Sequence, residues 1–226
     1  SAYDDEFGYL IVSQKAVKNF TAIFDPQRME WVGTFDWIPD DMFNSRSNLY
    51  SFKGNILYKH NAGNYGNYYG TVYPSYVDFI VNADKDVDKL LESVSWLSKL
   101  YNADGSIDHR NTITSITIWN DQYCTGKITL ATNETKSLFK DANIKVVKEA
   151  WFFNDITDNV IDPFIPFVSS LLTDSRPIST NIKKPVWYDA EPLRGKFFIV
   201  RLEFSNESNK ELHIRELFSS LRKSQI

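Results

Sequence analysis

The chain has 226 residues, the length of one large domain or two small ones. Its 42% hydrophobic and 24% charged residues exclude intrinsic disorder, and a net charge of -4 with a pI near 5.4 excludes a nucleic-acid reader that works through a basic footprint. Aromatic residues reach 15%, and Ile (19) outnumbers Leu (16) while Ala stands at only 10, a balance that suits pleated surfaces better than helix bundles.

Taken in chain order, alternating or β-rich runs recur at Phe7 to Val12, Thr21 to Phe24, Trp31 to Trp37, Asn48 to Phe52 and Asn55 to His60. They continue at Tyr69 to Tyr73, Val77 to Val81, Val94 to Tyr101, Thr112 to Trp119, Lys127 to Thr132, Lys196 to Phe204 and Glu211 to Phe218. Turn chemistry separates them, as at Asp25-Pro26, Pro39-Asp40-Asp41, Lys53-Gly54-Asn55, Ala103-Asp104-Gly105 and Cys124-Thr125-Gly126. Asp84 to Glu92 reads as a short helix, with acidic residues in its first turn and Val87, Leu90 and Leu91 on one side. A second helical piece is expected within Pro163 to Leu172, and Thr173 to Asp189 reads as a long surface excursion. The last two runs read as a hairpin: Phe198, Val200, Leu202 and Phe204 face one way, Arg201 and Glu203 the other, and Ser205 to Lys210 turns the chain into Leu212, Ile214 and Leu217. The expected fold is mainly β, with sandwich-like antiparallel sheets and one or two short helices. A boundary near residue 65 would divide a β-rich part at 1–65, the end of a larger sheet or a propeller-like region, from a β-sandwich-like domain at 66–226.

Residues that carry chemistry are few. His60, His109 and His213 lack ligand spacing, so surface or hydrogen-bonded roles are expected, and Cys124 reads as a turn cysteine with no internal disulfide partner. Asp84 to Asp88 opens like a calcium loop, but Lys89 stands where the turn glycine belongs and Ser95 where the bidentate Glu belongs. Asn102, Asp104 and Asp108 form a second oxygen-rich loop. Asp155, Asp158 and Asp162 offer paired carboxylates of the glycosidase kind, with nothing to fix their separation. No Ser elbow, phosphate-cradling loop or metalloprotease motif occurs. The expectation is a non-enzymatic chain with no catalytic, cofactor-binding or metal residues. Apolar runs such as Phe197 to Val200 are far too short to span a bilayer. Asn61 to Tyr73 sets Tyr65, Tyr68, Tyr69 and Tyr73 among glycines and asparagines; these rings suit core packing, an intersubunit surface, or stacking on sugars or bases. The first residue is Ser1 and not Met, which reads as a processed product or a piece of a longer polypeptide.

Several phrases carry a resemblance. They are Trp31-Val32-Gly33-Thr34-Phe35, Ile38-Pro39, Leu49-Tyr50-Ser51-Phe52-Lys53-Gly54-Asn55 and Leu57-Tyr58-Lys59-His60-Asn61. Tyr69-Gly70, Val81-Asn82, Trp119-Asn120-Asp121 with Thr125-Gly126, and Trp151-Phe152-Phe153-Asn154-Asp155 follow, then Arg194-Gly195-Lys196 and Val200-Arg201-Leu202. In this order, over roughly residues 20 to 226, the chain resembles the C-terminal region of the tail nozzle or muzzle proteins of crAss-like short-tailed phages. Asp121-Gln122-Tyr123 departs from the pattern, which has an aromatic directly after the acidic residue.

The resemblance implies a structural part of the virion, in the phage tail. The part would be a cyclic homo-oligomer, six-fold, around a channel through which DNA leaves without specific binding, with other tail proteins as neighbours. It implies a structural signature at Trp119, Asn120, Asp121, Trp151, Phe153, Asn154, Asp155 and Arg201. In Trp119-Asn120-Asp121 and Phe153-Asn154-Asp155 an aromatic would anchor the strand end while a short polar side chain clamps the turn. The competing reading is a carbohydrate- or receptor-binding module that uses Tyr65, Tyr68, Tyr69 and Tyr73.

Overall fold

The computed structural model describes residues 1–14, 19–130, 144–147, 149–154, 156, 192–206 and 208–224. The expected helical piece at Pro163 to Leu172, the excursion Thr173 to Asp189 and the carboxylates Asp155, Asp158 and Asp162 lie outside them. The chain divides into two compact units, Ser1–Tyr73 and Pro74–Ile226. All pairings of named strands are antiparallel, and there is no helix among the described residues.

The first unit opens with a four-stranded meander, β1 (Ala2–Asp4), β2 (Tyr9–Gln14), β3 (Phe20–Asp25) and β4 (Glu30–Phe35), paired in chain order. A three-stranded sheet follows, β5 (Asp41–Ser45), β6 (Asn48–Lys53) and β7 (Ile56–Lys59), and then a minimal hairpin, β8 (Asn67–Tyr68) and β9 (Thr71–Val72). Trp37, 1% exposed, is the centre of the small core with Ala2, Ile11, Met42 and Leu49. Thr21 Oγ1 donates to the Trp37 carbonyl at 2.7 Å and so satisfies a backbone group inside that core.

The second unit is a sandwich. One sheet has the order β10 (Ser75–Val81), β18 (Phe198–Phe204), β13 (Ser115–Trp119), β14 (Ile128–Thr129). The other is built on β11 (Lys89–Tyr101). One edge of β11 pairs with β12 (Ile107–Asp108), β16 (Ala150–Phe153) and β17 (Arg194–Gly195), and β15 (Ile144–Val147) pairs beyond β16. β19 (Glu211–Lys223) also runs along β11. Val81, Ile116, Ile118, Phe198, Val200 and Leu202 from one sheet meet Leu91, Val94, Trp96, Trp151 and Phe153 from the other in one core. Leu212, Ile214, Leu217 and Leu221 of β19 close it.

Two sequence expectations are corrected. The helix at Asp84 to Glu92 is absent: a turn gives way to β11 at Lys89. Leu91 pairs with Leu221 and Ser93 with Ser220, so Glu92 is the extra residue of a β-bulge. A bulge reverses the alternation of side chains, so Leu91 and Val94 both face the core at a spacing of three. The terminal hairpin is also absent, because β18 and β19 lie in different sheets. β18 is buried at all seven positions and needs a partner on each edge, β10 and β13, whereas β19 exposes one face and lies beside β11. The inward set Phe198, Val200, Leu202 and Phe204 is as expected.

The crossing between sheets is held by side chains. Asn206 accepts from Lys210 N at 2.8 Å and donates to Lys210 O at 2.6 Å, which pinches the loop. Lys210 Nζ then bonds the Asp108 carboxylate, which also accepts from Arg110 N and from Asn111 Nδ2, each at 2.8 Å. Burial by itself would raise the Asp108 carboxyl, but these donors hold it well below the usual carboxylate range. A depressed folded value stabilises above the unfolded value, about 3.9, and that stabilisation is lost as pH falls below it. Acid titration of thermal stability between about pH 5 and pH 2 should therefore show a steep loss in the wild type and a flatter one in Asp108→Asn.

Candidate functional site

Two clusters in the structure, one in each unit, hold part of the set of residues that the sequence singles out. In the first, the segment that carries the tyrosines turns back on Trp37. β8 and β9 share two registered pairs, and the two-residue loop between them, Tyr69-Gly70, has φ of 56° and 80°, the primed turn that matches strand twist. Tyr69 thus sits where a non-glycine residue is strained by about 1–2 kcal/mol. Packing offsets that strain. Tyr68 stacks on Trp37 at 5.1 Å, Tyr69 meets Trp37 edge-on at 6.0 Å, and Tyr73 meets Tyr68 edge-on at 6.2 Å. Of the four tyrosines, Tyr65 alone is exposed, at 50%.

Beneath them lies a polar chain. Ser51 Oγ, fully buried on β6, is 2.8 Å from Tyr69 Oη and 2.7 Å from His60 Nε2. The His60 ring lies 4.8 Å from the Trp37 ring. Desolvation pushes the imidazole below its ordinary value, and the nearby Asp4 carboxylate offsets part of that. Burial likewise raises the hydroxyls of Tyr68 and Tyr69, so both are neutral donors at ordinary pH. His60 is therefore a hydrogen-bonded interior residue. His213, by contrast, is exposed and bonded to Glu211, and His109 is exposed.

In the second cluster, Arg201 lies at the centre of β18 and its side chain is 2% exposed. Its register partner on β10 is Asp78. Arg201 Nε donates to Asp78 Oδ1 at 2.6 Å and Nη2 to Asp78 Oδ2, a bidentate pair. The guanidinium also lies 4.4 Å from the Tyr76 ring centre and 5.5 Å from that of Trp119. Nη1 has no hydrogen-bond partner among the described residues. Two positions along β18, Glu203 accepts from Lys127 Nζ at 2.6 Å.

Trp119 ends β13, and the next residue makes the turn. Asn120 Oδ1 accepts from Gln122 N at 2.9 Å and Tyr123 N at 2.7 Å, while its Nδ2 donates to the Arg194 carbonyl at 2.8 Å. A Cβ on Gly195 would stand 2.4 Å from Asn120 Nδ2. Two phrases of the sequence resemblance, 74 residues apart, are thus one junction. Asp121 is exposed at the turn tip. Trp151 and Phe153 are buried in the sandwich interior, away from the outer face that holds Arg201. Asn154 is exposed, and Asp155 lies outside the described residues.

Sequence reasoning passed over Asp78, Trp37 and Ser51. Asp78 left a trace, since it is a single carboxylate in the apolar run Val77 to Val81 and answers the single Arg in Phe198 to Phe204. Trp37 and Ser51 left none. The oxygens of the loop around Gly105 are engaged internally: Asp104 Oδ1 accepts from Ser106 N at 2.9 Å and Ser106 Oγ at 2.6 Å, and Asn102 Nδ2 donates to Ser106 Oγ at 2.9 Å. Among the described residues no three His, Cys, Asp or Glu side chains gather in a metal-holding group, and no helix is long and apolar enough to cross a membrane.

The fold and the two clusters define an antiparallel β scaffold with aromatic and ion-pair anchors. Residues 63–157 match the family model of the crassvirus muzzle protein C-terminal domain. The muzzle protein of Bacteroides phage crAss001 is 29% identical over 80 residues, which are 35% of this chain and 6% of that protein. The resemblance read from the sequence is therefore borne out over residues 63–157, a stretch that contains the tyrosine hairpin, Trp119 to Asp121 and Trp151 to Asp155.

Two measurements test the clusters. Gly195→Ala should destabilise by about 1–3 kcal/mol through overpacking, and Asn120→Ala by a similar amount through the lost turn bonds, about 1–3 kcal/mol. The double variant should lose less than the sum in denaturant titration, because the smaller side chain removes the clash. Asp78→Asn should cost about 3 kcal/mol, the low end for breaking a buried pair, because the Asp78 side chain is 30% exposed. Combining Arg201→Met with Asp78→Asn should recover part of that loss in the same titration.

Proposed function

We propose that this chain is part of a virion structural protein of a crAss-like phage, acting as a scaffold in the tail and not as an enzyme. The carrying observation is the match of residues 63–157 to the muzzle C-terminal domain. The match covers only 6% of the length of that muzzle protein, so the assembly is inferred for a larger parent. In that parent the chain contributes to a closed, six-fold ring at the tail nozzle, beside other tail proteins. DNA passes through the ring without being bound specifically.

Two physical features support this reading. The net charge of -4 suits a conduit, since a basic lumen would hold phosphates by counterion release and slow their passage. The outer face of the first sheet also carries a row across all four strands, Tyr3, Leu10, Phe24 and Trp31, in direct register. Trp31 is 61% exposed and meets Phe24 edge-on at 5.3 Å. A row of this kind suits a subunit contact. The glycan-binding alternative draws less support, because Tyr68, Tyr69 and Tyr73 pack against the Trp37 core.

Cryo-microscopy of intact virions should place this sequence around a symmetric axis at the tail tip. A single copy, or a peripheral fibre, would overturn the ring. Trp31→Ser in the full-length parent should reduce incorporation into virions while changing thermal stability by no more than about 0.5 kcal/mol, as for an exposed position. Unchanged incorporation would remove the aromatic row from the assembly surface.

A further inference from the structure

The β8–β9 hairpin has almost no hydrogen-bond ladder of its own. Two registered pairs and the bond from Tyr73 N to Gly66 O at 2.8 Å are its backbone ties, and its turn holds Tyr69 at a strained positive φ. The hairpin is seated on the first unit by rings on Trp37 and by the chain Tyr69 Oη, Ser51 Oγ, His60 Nε2. His60 is the titratable hub of that seat, 7% exposed, with ring centres at 4.8 Å from Trp37, 6.1 Å from Tyr68 and 6.3 Å from Tyr69.

We propose that the His60–Ser51–Tyr69 chain is a pH-operated latch, which holds the tyrosine hairpin on the Trp37 core near neutral pH and releases it in mild acid. With His60 neutral, Nε2 accepts from Ser51 Oγ–H, and Ser51 Oγ accepts from Tyr69 Oη–H. With His60 protonated, Nε2 donates to Ser51 Oγ, so three hydrogens share two contacts and one hydroxyl hydrogen, that of Ser51 or of Tyr69, loses its acceptor in a buried site. The charge then lies in a seat only 7% exposed, where loss of hydration opposes it.

The groups facing that cation are known on each side. Asp4 at the end of β1 is the carboxylate that opposes it, but both Asp4 oxygens accept from Asn61 Nδ2 at 3.1 Å, and Oδ1 also accepts from Glu6 N. Lys53 of β6 lies over the far ring, 5.9 Å from the Tyr69 centre, and adds like charge. Asp40 and the hydroxyls of Tyr58 and Tyr73 act on Tyr69. The direction follows from the sign: a histidine whose folded value is depressed takes up its proton more readily when released, so seating weakens as pH falls below about 6.5. Because the latch concerns the first unit alone, it stands whether or not the ring forms.

The test is hydrogen exchange on the intact chain from pH 7.5 to pH 5.0, corrected for intrinsic rates, with His60 followed by NMR. Protection at residues 67–73 should fall about tenfold, which corresponds to about 1.4 kcal/mol, while β13 and β18 keep theirs. His60→Gln should abolish the pH response, and Asp4→Asn should shift it to lower pH. Tyr69→Phe should lower protection already at pH 7.5 and flatten the response, which keeps the test open if His60→Gln does not fold. Unchanged wild-type protection at pH 5.0, an equal response in His60→Gln, or a His60 titration at or above 6.5 would overturn the latch.

Discussion

A guanidinium in the middle of a strand buried on both faces is the constraint around which the second unit is organised. Arg201 cannot leave β18 without breaking the run that fills the sandwich, and it cannot stay there without a counter-charge. Asp78 supplies it, and the pairing fixes β10 against β18 in one register, because a slip of one residue would turn Arg201 toward the apolar interior. Trp119 and Tyr76 flank the same group, so the end of β13 and the start of β10 are referred to one point. The Asn120 turn and Gly195 then follow from where Trp119 must stop.

The first unit solves a different problem with different means. With 73 residues it cannot bury many large side chains, so one Trp does the work of a core, ringed by residues from all three sheets of the unit. Two polar chains enter that core: Thr21 to the Trp37 carbonyl, and Ser51 between His60 and Tyr69. In each unit a buried polar group is matched to a partner distant in sequence, which selects a single packing among the many that β-rich sequences could adopt.

Much of this was legible in the sequence. Period-two runs located most strands, and the inward set of β18 was read correctly, because alternation is a local property. What failed was non-local. The acidic turn before β11, with Val87, Leu90 and Leu91 behind it, looked like a helix start although the chain pairs as a strand from Lys89, and strand adjacency in sequence suggested that β18 and β19 pair when their burial assigns them to different sheets. Tyr68, Tyr69 and Tyr73 could not be told from a binding platform, since their role depends on Trp37 some thirty residues earlier and on Ser51, neither of which stands out. Asn120 and Gly195 were both visible as parts of quoted phrases, but that they touch is a fact of three dimensions.

The long ladder between β11 and β19 has a mechanical consequence. Its registered pairs run from Lys89 with Lys223 to Tyr101 with Glu211, antiparallel throughout. A pull along the axis of β19 loads that ladder in shear, so many hydrogen bonds must yield together. A pull at right angles, applied at Lys223, opens them one at a time from the end. The sheet is therefore stiff in one direction and easily unzipped in another, and the direction in which a neighbour tugs on β19 decides which response it meets.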